Sequence, residues 1–315
     1  MSFCGMDGFT KRLWEPVRHV IISYTVYAWL YRDYQAGRIK DMLITIQQVK
    51  SNFENLFEVS SSGQVLFRAK APWMDVSLPF NAEHMREIIF TDASGEKLYT
   101  THYKLISNMI EEAVPFKYLI TKEQRFGQFE IVGRDGNEGS FYIMQNGVCD
   151  NKFCIEHKGR VCLGYSIDKG KNNYVSIYEN DTQIAQITKP LTVIDNLDVY
   201  YLHIKDGYAS MVPVLCFFTV YYDYRKYNNS GSLTRNSVEI SVSYTYGRNN
   251  DKYNPNWIAR EFGQGAADEL EQLLGNLAEQ GAAQAGRIVK IVGMIFLVLI
   301  LLAVVLFFVL RSILG

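Results

Sequence analysis

Twenty consecutive residues, Ile291 to Leu310 (IVGMIFLVLILLAVVLFFVL), carry neither a charge nor a proline. As a helix rising about 1.5 Å per residue, the run covers ~30 Å, the hydrocarbon thickness of a bilayer. A buried core helix is seldom so long and so uniformly apolar, so the run is expected to span a membrane. Arg287 and Lys290 precede it and RSILG follows. The expected topology is a single-pass C-terminal anchor over 287–311, with the main domain facing the cytosol. Arg311 on the other flank dilutes that orientation signal.

The 315 residues leave room for one large domain plus accessory segments. Aromatic residues make up 14% of the chain, with 21 Tyr and 18 Phe, which favours a strand-heavy fold. A formal charge of −1 provides no global basic field, so no nucleic-acid partner is expected. Cys4, Cys149, Cys154, Cys162 and Cys216 are odd in number and widely spread, which argues for a reducing compartment rather than a disulfide framework. Near the N-terminus, Val20 to Tyr31 competes as a signal sequence. It is short, contains Ser, Thr and three Tyr, and lacks a small-x-small cleavage pattern. Residues 1–50 are therefore read as an N-terminal helical segment that packs one face on the main domain.

From about Phe53 to Tyr246 one local design recurs: a polar turn with Gly or Asp, followed by alternating apolar residues. It appears in SSSGQVLFRAKA, TDASGEKLYTTHY, GRDGNEGSFYIMQ, EHKGRVCLGYSI, YENDTQIAQITKP and LHIKDGYASMVP. Gly63, Gly95, Gly136, Gly159 and Gly207 can supply the positive φ of tight hairpin turns, and Asn180-Asp181 tolerates it as well. Six such units give about a dozen strands, too many for one flat open sheet. The expectation is a mainly β fold, a closed or strongly curled antiparallel barrel of about twelve strands over 51–248. The interior of such a barrel is wider than its wall side chains can fill.

MVPVLCFFTVYYDYRKY, Met211 to Tyr227, is the expected filling. From Tyr208 to Asp223 the apolar run would be ~22 Å of helix, too short to cross a bilayer comfortably. Pro213 would break a central strand but suits a first helical turn, which Ser210 can cap. A helix apolar all round must be buried all round. A central hydrophobic helix near 210–223 follows, with one awkward feature: Asp223 near its C-terminal end opposes the macrodipole.

ENLFEVSSSGQVLFRAKAPW, IIFTDASGEKLYTTHYK, FCIEHKGRVCLGYSI, YVSIYENDTQIAQITKP and GYASMVPVLCFFTVYYDYRKY, in that order, resemble the tubby C-terminal-like superfamily, which includes LURP-one-related proteins and phospholipid scramblases. The resemblance covers roughly Phe53 to Tyr227 and implies a β-barrel enclosing a hydrophobic helix. It also implies phosphoinositide binding through basic strand residues. Three features depart from it: the strand-like SVEISVSYTY after the presumed central helix, the separate membrane span, and the N-terminal segment.

Between domain and span, residues 249–286 read as a partly helical linker. Ala267, Leu270, Leu274 and Leu277 share a helical face, which Gly275 and Gly281 weaken. Ala278, Ala282 and Gly286 repeat at the small-xxx-small spacing, so self-association through this helix competes with a flexible spacer.

No nucleophile elbow, metalloprotease helix or phosphate-binding glycine loop occurs. His19, His84, His102, His157 and His203 are scattered, and no residue is assigned a catalytic role. Cys149, Cys154, His157 and Cys162 match no zinc spacing. If Lys158-Gly159 is a two-residue turn, Ile155 lies opposite Cys162, so Cys154 and Cys162 point to opposite faces. GRDGNEG and YENDTQ lack the alternating acidic pattern of a calcium loop. No cofactor or metal is expected. Arg68 and Lys70 fall two apart on a strand, hence on one face, with the potentially interfacial Trp73 close behind. These three are the candidate lipid-binding residues, with Lys117, Lys122 and Arg125 as a second basic group. The expected function is a membrane-anchored, non-enzymatic binding or scaffold module. Its partners are the bilayer, through Ile291 to Leu310, and an anionic phospholipid or a membrane protein. A scramblase-like role in lipid transfer is the alternative.

Overall fold

A computed structural model describes residues 43–52, 54–72, 87–113, 123–146, 151–227 and 237–314. Fifteen strands are present among them: β1 (Leu43–Asn52), β2 (Glu54–Ser61), β3 (Gln64–Pro72), β4 (Ile89–Asp92), β5 (Lys97–Tyr103), β6 (Gln124–Gly133), β7 (Gly136–Gln145), β8 (Asn151–His157), β9 (Arg160–Gly170), β10 (Asn172–Glu179), β11 (Thr182–Pro190), β12 (Thr192–Ile194), β13 (Val199–Ile204), β14 (Val238–Ile240) and β15 (Ser243–Tyr244). β1 to β11, together with β13, form one antiparallel meander in which each strand pairs with its chain neighbours. β13 returns to β1, with Ile46 opposite Tyr200, and the ring of twelve strands closes.

Hairpin chemistry sets the register. Ser62-Gly63, Lys158-Gly159 and Asn180-Asp181 all have positive φ at both turn residues, as the twist-compatible two-residue turn requires. A one-residue slip would turn each apolar face outward, so these turns and the alternation enforce the same pairing. The barrel begins at Leu43 rather than at 51, because LITIQQVK alternates inward Ile44 and Ile46 with outward residues. The N-terminal helix expected over 1–50 therefore does not include 43–50, and its remainder lies outside the described residues.

Two further segments differ from expectation. LHIKDGYASMVP is not a hairpin. β13 ends at Ile204, Gly207 takes a φ of 87°, and a 3-10 turn over Ala209–Met211 delivers the chain into a helix, Val212–Lys226. SVEISVSYTY, expected as one strand, splits into β14 and β15. These pair outside the ring with β12 and with the end of β9.

The helix Val212–Lys226 runs down the barrel, and every residue from Val212 to Tyr224 is buried. Pro213 sits in its first turn as expected, where the missing N–H costs nothing. Ser210 does not cap it; Met211 occupies that position and no side chain caps the helix. The fit to the wall is aromatic. Phe217 contacts Phe90, Tyr99 and Phe141 at ring separations of 5.3, 5.7 and 5.4 Å. Phe218 lies 6.0 Å from Phe153, and Tyr221 lies 5.5 Å from Phe129. The wall carries Gly164 beside the helix, where an added Cβ would stand 3.5 Å from Phe218.

The two barrel ends are unlike. At one end every described connection within the ring is a tight turn: Ser62-Gly63, Ala93 to Glu96, Arg134-Asp135, Lys158-Gly159 and Asn180-Asp181. At the other end the β3–β4, β5–β6, β7–β8 and β11–β13 connections are longer, and the central helix terminates there.

Candidate membrane-facing site

A single helix of 51 residues, Gln264–Leu314, contains both the expected linker and the expected span. Its first turns are not a free spacer. Leu270 is buried with Tyr201, Trp257, Ile258 and Phe262, and Leu273, Leu274 and Leu277 pack against the same group. Gly281 is buried further along, where an added Cβ would meet Thr192 Cγ2 at 2.6 Å. Gln284 Nε2 donates to Asp195 Oδ1 at 3.0 Å. The apolar face seen in the sequence is thus applied to the outer wall at β1, β12, β13 and β14. Beyond it the apolar stretch is exposed as far as Val304, and the helix is long and apolar enough to cross a membrane. The docked segment runs from mid-β13 to the turn after β12, so the apolar stretch leaves at the loop-rich end.

The predicted basic pair lies on the outer wall. Arg68 and Lys70 share the exposed face of β3, as period-two geometry requires. Each already has an acidic neighbour on β2: Arg68 Nε donates to Glu58 Oε1 at 3.2 Å, and Lys70 Nζ to Glu54 Oε1 at 2.6 Å. Arg68 also donates to the Ala93 carbonyl at 2.7 Å. Lys70 holds the Glu54 carboxyl below its ordinary range. An anion would have to displace these carboxylates. Trp73, Lys117 and Lys122 lie outside the described residues. Arg125 stacks over Tyr142 at 4.6 Å and donates to Glu123 at 3.2 Å.

A shallow cleft of about 170 Å³ at the tight-turn end is lined by Lys97, Tyr99, Arg134, Asp135, Glu138 and Lys158. Its Arg134 pairs with Glu96, and its Lys158 with Glu138 at 3.0 Å. Glu138 Oε2 also lies 3.2 Å from His157 Nε2, and burial lowers the His157 pKa. Ile155 does stand opposite Cys162. Cys162 belongs to the interior core, while Cys154 lies on the outer side beside Tyr142. The wall therefore separates the two thiols, and burial pushes them up to about 12 and about 11. Among the described residues no group of three His, Cys, Asp or Glu could hold a metal.

Sequence reasoning missed the most unusual chemistry, a charge cluster inside the loop-rich end. Lys189 on β11 and Asp198 before β13 are 1% and 0% exposed and meet at 2.5 Å. Lys189 Nζ also sits 4.2 Å above the Tyr227 ring. Tyr200 donates to Asp223 Oδ1 at 2.5 Å. Burial, and then the neighbouring Asp198 charge, raise the Asp223 pKa well above the carboxylate range. Both causes favour the neutral acid, which eases the conflict with the helix dipole. The hints in the sequence were Asp223 near the end of an apolar helix and a lysine near the end of the strand TQIAQITKP. Lys189 comes from β11 and Asp198 and Tyr200 from the start of the neighbouring β13, and Asp223 joins them only once the helix fills the barrel. The cluster fixes the end of the central helix to the wall.

No family model, curated protein or solved structure matches this chain.

Proposed function

We propose that this chain is a membrane-anchored, non-enzymatic binding module whose barrel is held in a fixed attitude to the bilayer by the helix that also forms the span. The observation that carries this reading is the unbroken helix Gln264–Leu314. Its first five turns are packed on the barrel, and the rest is apolar and uncovered. A flexible tether would let the barrel reach partners at a distance; a docked one restricts it to ligands at the membrane surface, either lipid headgroups or a membrane protein. Twelve strands around a wholly buried helix is the architecture implied by the resemblance to the tubby C-terminal-like superfamily, and it supports placing the chain beside that group. Self-association would have to use Ala282 and Gly286, which face away from the barrel.

Vesicle flotation tests headgroup recognition. Cutting the chain at Glu261 would uncover Tyr201 and Trp257, so the soluble form should end at Gly286 and keep the docked segment. Binding to phosphatidylserine or phosphoinositide vesicles is expected, weakened by the paired changes Arg68→Glu and Lys70→Glu. Failure to float with any anionic vesicle would remove headgroups as the ligand and leave a membrane protein.

A further inference from the structure

We propose that the loop-rich end of the barrel rests on the bilayer, with the helix Leu105–Ala113 lying in the interfacial layer and Ile106, Met109 and Ile110 turned into lipid. The proposal rests on the membrane-anchored reading above and specifies which surface meets the lipid.

This helix is inverted relative to one that faces water. Asn108 is 1% exposed and held from both sides: its Nδ2 donates to the Gln128 carbonyl at 3.0 Å, and its Oδ1 accepts from the Gln128 N–H at 2.7 Å. Gln124 fastens the far end by donating to the Glu111 carbonyl at 2.6 Å. Ile106, Met109 and Ile110, spaced for one helical face, are 75%, 54% and 58% exposed. A surface helix ordinarily turns such residues toward the core. Here the polar side chain is buried and the apolar face is offered outward, as a face covered by hydrocarbon requires.

Position identifies that cover. The helix joins β5 to β6 at the loop-rich end, the end from which the span leaves. The other exposed large apolar side chains described ahead of residue 289 follow the same distribution. Val49 marks the loop-rich half of β1, and Ile240 pairs with Thr192 on β12 near the anchoring helix. Tyr244 pairs with Lys169 at the loop-rich end of β9, with Val242 and Tyr246 on either side of it in the chain. Val161, next to the Lys158-Gly159 turn, is the single one at the tight-turn end. In the ring, β5 and β6 lie across the barrel from β13, where the anchor docks. The span alone holds one edge of the rim, and the helix supplies a second support opposite it. LISNMIEEA has no basic residue, so the contact is apolar and independent of anionic lipid.

Environment-sensitive fluorophores on the full chain in phosphatidylcholine vesicles test this. Cys4→Ser and Cys149→Ser leave only the buried Cys154, Cys162 and Cys216. Single labels then follow at Met109→Cys, Val161→Cys and Leu297→Cys, with quenching by doxyl groups on the lipid chains. At least half the quenching seen at Leu297 is expected at Met109, with little at Val161. Adding Ile106→Asn and Ile110→Asn should reduce the Met109 signal and leave Leu297 unchanged. Quenching at Leu297 without quenching at Met109 overturns this inference and spares the anchor. No quenching at Leu297 overturns the anchor reading itself. Equal quenching at Val161 and Met109 would mean that the barrel is not seated on its loop-rich end.

Discussion

Replacing Lys189 by methionine isolates the buried charge cluster. The side chain is nearly isosteric, but Asp198 would lose the ammonium 2.5 Å away while staying fully buried beside Asp223. Removing one partner of a buried pair leaves an uncompensated charge and costs roughly 3–5 kcal/mol. For a domain of this size that corresponds to a melting point lower by about 6–20 °C. A pH signature accompanies the loss. Without Lys189 the Asp223 carboxyl loses a nearby cation that lowers its pKa and rises further above its unfolded value. The folded chain then holds a proton that the unfolded chain releases, so the deficit grows as pH rises toward the new folded pKa. Lys189→Met is therefore expected to be least stable at pH 8 and to recover toward pH 5. Adding Asp198→Asn removes the orphaned charge and keeps a hydrogen-bond partner for Asp223. The double variant should return to within about 1 kcal/mol of the parent and lose the added pH dependence. Urea unfolding of the chain ending at Gly286, followed by tryptophan fluorescence at pH 5 and 8, measures all four corners of the cycle. A single variant that costs under about 1 kcal/mol and is flat with pH would show that water reaches the cluster, and the reasoning would fail.

Other consequences can be measured in the same way. His203 lies 5.4 Å from Phe262, and burial lowers its pKa to about 4. Its contribution is fully present above the unfolded value near 6.5 and lost as pH falls toward 4, about 3 kcal/mol in all; His203→Leu should flatten that window in unfolding titrations. Phe217→Ala empties the centre of the aromatic stack and should cost about 3–5 kcal/mol by denaturant unfolding. Gly281→Leu drives a side chain into Thr192, so protease cleavage within 264–288 should rise sharply while the barrel stays intact. Gly139→Ala would push a Cβ into the Glu156 backbone at a φ of 155° and should abolish soluble expression. By contrast Gly63→Ala, with open space around it, should cost only about 1 kcal/mol.

Local chemistry made much of the fold legible. Turn residues such as Lys158-Gly159 and Asn180-Asp181 constrain φ on their own, and strand alternation records which face is buried, so the hairpins, their register and the opposite faces of Cys154 and Cys162 could be read in order. Length and uniform apolarity marked out both the C-terminal helix, long and apolar enough to cross a membrane, and the central helix, apolar all round and buried. Neither signal reports which distant surfaces meet. β1 resembled part of a helical leader because its pairing with β13 crosses about 150 residues. The linker looked like a spacer because its apolar face gains meaning only against Tyr201, Trp257 and Thr192. Arg68 and Lys70 looked like free cations until β2 placed Glu58 and Glu54 beside them. Asp223 looked misplaced until burial and the neighbouring Asp198 favoured its neutral form. Conformational preference and burial are carried by single residues and their near neighbours, and the sequence alone determines them. Charge state, docking and the direction in which a surface faces depend on contacts between remote segments, and only the closed barrel decides those.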